Sequence, residues 1–166
     1  MSIKDHRHRL NDVTSTQLRP GPRHSDDPLS LENQLCFALY AATRAITRTY
    51  RERLVQLDLT YSQYLVLIAL WENDRQTVSA LGEQLRLDSG TVTPLLKRME
   101  TAGLLERQRR RTDERVVEVF LTPKGRALKT GAAGAREFVV ERLGMTDVQI
   151  ANLRRELMDL VAQLDC

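Results

Sequence analysis

The apolar residues of this chain change period twice, at Gly103 and again at Thr122, and few folds accommodate that order. Up to Ala102 the spacing is helical. Ser30 is placed to cap a first helix in which Leu31, Leu35, Leu39, Ala42, Ile46, Tyr50 and Leu54 recur at intervals of four and three, reaching about Leu57. Thr60 caps a second helix carrying Tyr64, Leu65, Leu67, Ile68 and Trp71. A short third helix over residues 78–85 follows, with Thr77 near its start. Arg86 and Leu87 turn the chain, and Asp88 caps a fourth helix running to about Ala102. Gly103 stands just past its end, where a left-handed residue favours glycine.

The pattern then becomes that of strands. Residues 104–108 and 116–121 read as two strands, the second carrying the β-branched Val116, Val117 and Val119. Between them the polar run from Arg109 to Arg115 reads as a hairpin loop. Thr122 caps a fifth helix with Pro123 at its first position, which proline tolerates. Its Gly131-Ala132-Ala133-Gly134-Ala135 segment lowers intrinsic helix stability but permits close helix crossing. Thr146 caps a last helix with one apolar stripe: Ile150, Leu153, Leu157, Leu160 and Leu164. The expected fold is mainly α with a small β-wing, an α+β arrangement of six helices and one hairpin.

Composition excludes several functions. No apolar stretch approaches the roughly 18 residues needed to span a bilayer, and Met1 to Arg9 is not followed by the apolar segment of a secretory signal. The expectation is a cytoplasmic protein with its two cysteines reduced at rest. Residues 1–29 read as a disordered tail, rich in proline and charge. All three histidines (His6, His8 and His24) fall in it, so histidine-based acid–base chemistry is absent from the folded part. They read as surface residues of the tail, not as metal ligands. No metal and no cofactor are expected.

The net charge is only +3, so the location of the arginines matters more than their number. They cluster between Arg107 and Arg115. A short helix, a three-residue turn and a longer capped helix form a helix-turn-helix. The second helix opens with the small or polar Ser89, Gly90, Thr91 and Thr93, which would let it approach base edges in a major groove. Lys97 and Arg98 lie further along, where phosphate contact is expected. In the hairpin, Arg109, Arg110, Arg111 and Arg115 supply the charge, and an arginine at the wing tip suits a narrow minor groove. Asp113 is close enough in sequence to orient the Arg115 guanidinium. Helix-turn-helix followed by a basic wing predicts a winged helix that binds double-stranded DNA.

Asp113-Glu114-Arg115, followed by Val119, Leu121-Thr122 and Gly125, resembles the wing signature of MarR-type regulators, and the six-helix order matches over about residues 30–165. The resemblance implies repression by a homodimer on a pseudo-palindromic operator. It assigns residues 30–58 and 123–166 to dimerisation and 60–121 to the winged helix-turn-helix, within a domain spanning 30–166. Dimerisation also follows from the pattern, because the apolar first and last helices need burial that a small winged core cannot supply.

The segment from Leu31 to Tyr40, with Cys36 inside it, is similar to the sensor segment of the OhrR branch, whose members sense organic hydroperoxides. Leu59 to Tyr64 and Leu87 to Thr91 are similar to that branch as well. The resemblance implies that Cys36 is the peroxide-reactive thiol and that Tyr50 and Tyr61 are its hydrogen-bonding tyrosines. Cys36 and Tyr50 are 14 positions apart, about 21 Å along a straight helix at the usual rise per residue. They would therefore meet only across a dimer, one subunit's cysteine against the other's tyrosine. Residues 123–143, where two-cysteine members carry a resolving thiol, contain no cysteine. Cys166, the final residue, is either an accidental terminal thiol, the preferred reading, or the resolving group. In the first case a low-molecular-weight thiol completes the reaction.

Three other functions are weighed. A MarR-type repressor released by a small phenolic or drug-like ligand would use Phe37, Tyr40, Tyr61 and Trp71. A thiol peroxidase lacks an acid–base partner and a reductase-facing cysteine motif, so no enzyme is expected. Architectural, sequence-independent binding would show no preference for an operator over random DNA.

Overall fold

The computed structural model describes residues 27–165. The tail reading for residues 1–26, the three histidines and Cys166 lie outside them. The described residues divide into two compact units after Tyr40.

In the first unit, Asp27 to Ser30 form a turn in which the Leu29 N–H donates to Asp27 Oδ1 at 2.9 Å. Ser30 does not cap a helix: its side chain makes no cap bond, and its Oγ is buried without a partner. A single 3-10 turn, Leu31–Asn33, comes first, and Gln34 is extended at φ −86° and ψ 114°. The Gln34 side chain donates back to the Pro28 carbonyl at 2.7 Å. Helix α1 (Leu35–Leu54) therefore starts four residues later than the periodicity suggests, because the apolar repeat runs unbroken through a non-helical residue. It crosses into the second unit and ends in a 3-10 turn, Val55–Leu57, closed by left-handed Asp58.

The second unit follows the expected order. Helix α2 (Tyr61–Glu72) opens with a capping box: Gln63 N–H donates to Thr60 Oγ1, and Thr60 N–H donates to Gln63 Oε1. Strand β1 (Gln76–Thr77) is too short to leave a sequence pattern. Thr77 caps α3 (Val78–Leu85), left-handed Arg86 ends it, and Asp88 caps α4 (Ser89–Thr101). Gly103 takes the expected left-handed conformation at φ 70°. Strands β2 (Leu105–Arg110) and β3 (Asp113–Leu121) are longer than expected, leaving only Arg111 and Thr112 as the turn. Near the turn, residues 111–115 are exposed, so these positions need not alternate in polarity, and backbone pairing carries the strands outward. β1, β3 and β2 form one antiparallel sheet with β3 in the centre, and the register shifts between Arg109 and Arg110.

Thr122 caps α5 (Pro123–Leu143), and Thr146 with Gln149 builds a capping box on α6 (Asp147–Leu164). The core lies where α2, α3, α4 and the sheet meet: Leu67, Leu70, Leu81, Leu96, Met99 and Leu105 are fully buried. Along α4 the buried positions are Val92, Leu95, Leu96 and Met99, one helical stripe. α5 joins this core closely at its start. A Cβ on Gly125 would sit 2.1 Å from the Leu104 carbonyl oxygen, so only glycine fits there. The Trp71 indole N–H donates to the Gly125 carbonyl at 3.0 Å, and Thr122 Oγ1 donates to the Gly103 carbonyl at 2.7 Å. α6 contains no buried residue.

Candidate nucleic-acid interface and thiol segment

The inward stripe of α4 turns its other side to solvent. Ser89, Gly90, Thr91, Lys97 and Arg98 are exposed and Thr93 is half-buried. The first turn is held by Asp88, whose carboxylate accepts from the Thr91 backbone N–H at 2.9 Å and from the Thr91 hydroxyl at 2.8 Å. Those bonds stabilise the ionised form and hold the Asp88 carboxyl below its ordinary range. Thr91 is thereby fixed with its hydroxyl proton committed to Asp88.

The wing arginines do not share one role. Arg109 and Arg110 lie in β2 and Arg115 in β3, not in a loop, while Arg111 occupies the turn. Arg109 donates to the Glu114 backbone carbonyl at 3.0 Å. Arg110 is paired with Glu118 at 2.9 Å, and Arg107 with Glu100 at 2.6 Å. Glu100 accepts both the Arg107 side chain and its backbone N–H, which lowers its carboxyl pKa. Arg111 and Arg115 are exposed and make no ion pair among the described residues. Asp113 acts on Arg115 otherwise than expected: its Oδ1 accepts the Arg115 backbone N–H at 3.0 Å, a local turn bond, and the exposed guanidinium has no ion pair with it. Sequence spacing singles out neither carboxylate: Glu118 meets Arg110 through the pairing of β2 with β3, and Glu100 reaches Arg107 from α4.

In the first unit Cys36 is a free, exposed thiol. The exposed apolar residues of the same segment include Leu31, Leu35, Phe37 and Tyr40, with the Phe37 and Tyr40 rings 6.5 Å apart. In the second unit Tyr50 and Tyr61 are brought together, with ring centroids 5.2 Å apart, and Tyr64 joins them at 5.4 and 6.2 Å. Burial raises all three phenols, Tyr50 to about 12, where its hydrogen bond to Tyr64 and the charge of that neighbour add to the effect. Periodicity marks Tyr64 only as an apolar helix position. Its spacing of three from Tyr61 on α2 was the available signal. Of the aromatics weighed for a phenolic ligand, Tyr61 and Trp71 pack against the core.

Among the described residues no single helix is long and apolar enough to cross a membrane. Comparison with known proteins agrees with the winged architecture. The MarR family model matches residues 59–117. The chain is 54% identical over 106 residues to the organic hydroperoxide resistance transcriptional regulator of Bacillus subtilis, covering 64% of this chain and 72% of that protein. It is 48% identical over 139 residues to the transcriptional regulator TtmR of Methylorubrum extorquens, covering 84% of this chain and 69% of that one. Among solved structures it resembles AbfR of Staphylococcus epidermidis. Reduced AbfR bound to DNA matches with a TM-score of 0.69 at 35% identity, over 82% of this chain and 94% of that one. A disulfide-formed AbfR matches at 0.59 and 36%, over 79% and 92%. This chain belongs to the MarR family and has the fold of its winged-helix transcriptional regulators.

Proposed function

We propose that this chain is a cytoplasmic, redox-sensing repressor that binds a pseudo-palindromic DNA operator as a homodimer and lets go when an organic hydroperoxide oxidises Cys36. It acts by binding DNA, not as an enzyme. The observation that carries the reading is an exposed thiol in a segment whose apolar side chains are exposed too, Cys36 with Leu31, Leu35, Phe37 and Tyr40. The 54% identity to an organic hydroperoxide resistance regulator supports it.

α4 enters a major groove by its exposed first turns, with Lys97 and Arg98 on phosphates, and the wing tip follows the adjacent minor groove. Residues 30–58 and 123–166 supply the dimer, whose burial covers the apolar residues left bare on α6. Cys36 of one subunit meets Tyr50 and Tyr61 of the other, whose hydroxyls donate to the thiolate. The thiolate sulfur attacks the outer peroxide oxygen of ROOH. The S–O bond forms as the O–O bond breaks, and the alkoxide leaves and is protonated to ROH, leaving a Cys36 sulfenic acid. A second thiol then attacks the sulfenic sulfur, forming a disulfide and releasing water. A low-molecular-weight thiol is preferred for this step, with Cys166 as the alternative. The rearranged interface changes the spacing of the two reading heads, and the operator is lost.

A mobility-shift titration on the DNA upstream of its own gene, with and without an organic hydroperoxide, tests this. Wild type is expected to release and Cys36→Ser to stay bound. Release of both proteins, or of neither, would remove Cys36 as the trigger. Mass spectrometry of the oxidised protein distinguishes a mixed disulfide on Cys36 from an intersubunit bond to Cys166.

A further inference from the structure

Glu118 is the one buried charged residue among the described residues, 7% exposed on the central strand of the sheet. A buried carboxylate needs partners, and it has them from both flanking segments. Its Oε1 accepts from Arg110 Nε at 3.0 Å and from the same guanidinium's terminal nitrogen at 2.9 Å. Its Oε2 faces the Arg75 guanidinium at 3.5 Å. Arg75 leads into β1 with a left-handed backbone, φ 63°, and its guanidinium also lies 5.7 Å from the Phe120 ring centroid. Arg110 stands where the β2–β3 register shifts. One carboxylate thus ties the turn end of β2, at its irregular step, to the segment that precedes α3.

We propose that Glu118 is a positioning residue for DNA reading: it neutralises Arg110 and holds the β2–β3 ribbon at a set angle to α3 and α4, leaving Arg109, Arg111 and Arg115 as the cations the wing presents to DNA. This rests on the DNA-binding reading above. It divides the arginine cluster into two populations. Arg107 and Arg110 are held by Glu100 and Glu118, and Arg109, Arg111 and Arg115 have no carboxylate partner among the described residues. A cation already paired with a buried carboxylate releases no counterion when DNA arrives, so the division is measurable in the salt dependence of binding.

The experiment measures binding constants of the full chain for a duplex taken from upstream of its own gene, and for an unrelated duplex, across a range of salt concentrations. Each phosphate neutralised contributes about 0.9 to the slope of log K against log salt, so one residue in each of two wings contributes about 1.8. Arg115→Ala is expected to flatten the slope by that amount, and Arg110→Ala to leave it unchanged. Glu118→Gln frees Arg110, so its slope becomes steeper while its preference for the upstream duplex falls. Adding Arg110→Ala to Glu118→Gln restores the wild-type slope without restoring the preference. A merely structural role for Glu118 would not steepen the slope in Glu118→Gln and return it to the wild-type value once Arg110 is removed as well. Flattening by Arg110→Ala to the extent of Arg115→Ala would overturn the proposal, as would a Glu118→Gln protein with wild-type slope and preference. If Glu118→Gln does not fold, Arg110→Ala at its half-exposed position decides alone. A wild-type protein that binds neither duplex would instead remove the DNA-binding reading.

Discussion

The stretch from α2 to β3 and the closing helix α6 are both amphipathic, yet they treat their apolar residues in opposite ways. The first buries them at home: Val66, Leu67, Leu81, Leu96, Met99 and Val119 are all at or near zero exposure. α6 has a capping box, a full apolar stripe and no buried residue, with Leu153 45%, Leu157 37%, Met158 56% and Leu164 75% exposed. A helix with such a stripe is stabilised mainly by what it packs against, not by propensity. The difference teaches that the winged part is a finished core, while α6 leaves its apolar stripe uncovered within the chain.

The comparison breaks most visibly at Leu67. Leu67→Ala would leave a cavity in the finished core and is expected to cost about 2–5 kcal/mol, read as a lowered denaturant midpoint at fixed protein concentration. A loss below about 1 kcal/mol would mean that this core is looser than its burial implies. On α6 the same kind of change should act on assembly. Leu157→Glu forfeits roughly 1.5–3 kcal/mol of burial per copy, and sedimentation should show weakened self-association with the helical spectrum of the folded chain retained. Unchanged sedimentation would show that α6 is not the assembly surface.

The smallest effect concerns acid. The Glu100 carboxyl is lowered from its ordinary value of 4.5, chiefly by its hydrogen bond from the Arg107 side chain. A depressed carboxylate contributes stability that is complete above the unfolded value and lost as pH falls through the folded one. Thermal stability should therefore decline below about pH 4.5, and Glu100→Gln should make that decline shallower. Glu100 is partly exposed, so the difference is expected to be small. An identical acid limb in the variant would show that the pair contributes nothing.

The helix starts were legible because capping is local chemistry. Thr60, Thr77, Asp88, Thr122 and Thr146 all cap as their sequence context indicates. Ser30 was misleading for the same reason, since a competent side chain precedes an apolar repeat but Gln34 bends the backbone away first. The wing's strands ran past their expected ends because exposed ribbon positions carry no polarity signal. For the site, the charge of the arginine cluster was visible in the sequence, but its distribution was not. Arg110 and Glu118 are eight residues apart and meet through a cross-strand register that includes an irregular step. The grouping of Tyr50 with Tyr61 and Tyr64 similarly needs the turn between α1 and α2.

Gly125 has a mechanical consequence. With its backbone pressed on Leu104 and its carbonyl held by Trp71, the start of α5 is clamped to the winged core and is poorly suited to act as a hinge. α5 has 21 residues, so it is a rod of about 31 Å at the standard rise. A sideways push of about 5 Å at its far end turns such a rod by roughly 9°. Clamped at Gly125, the rod and the winged core would turn together, so a small shift at the far end of α5 would reorient α4.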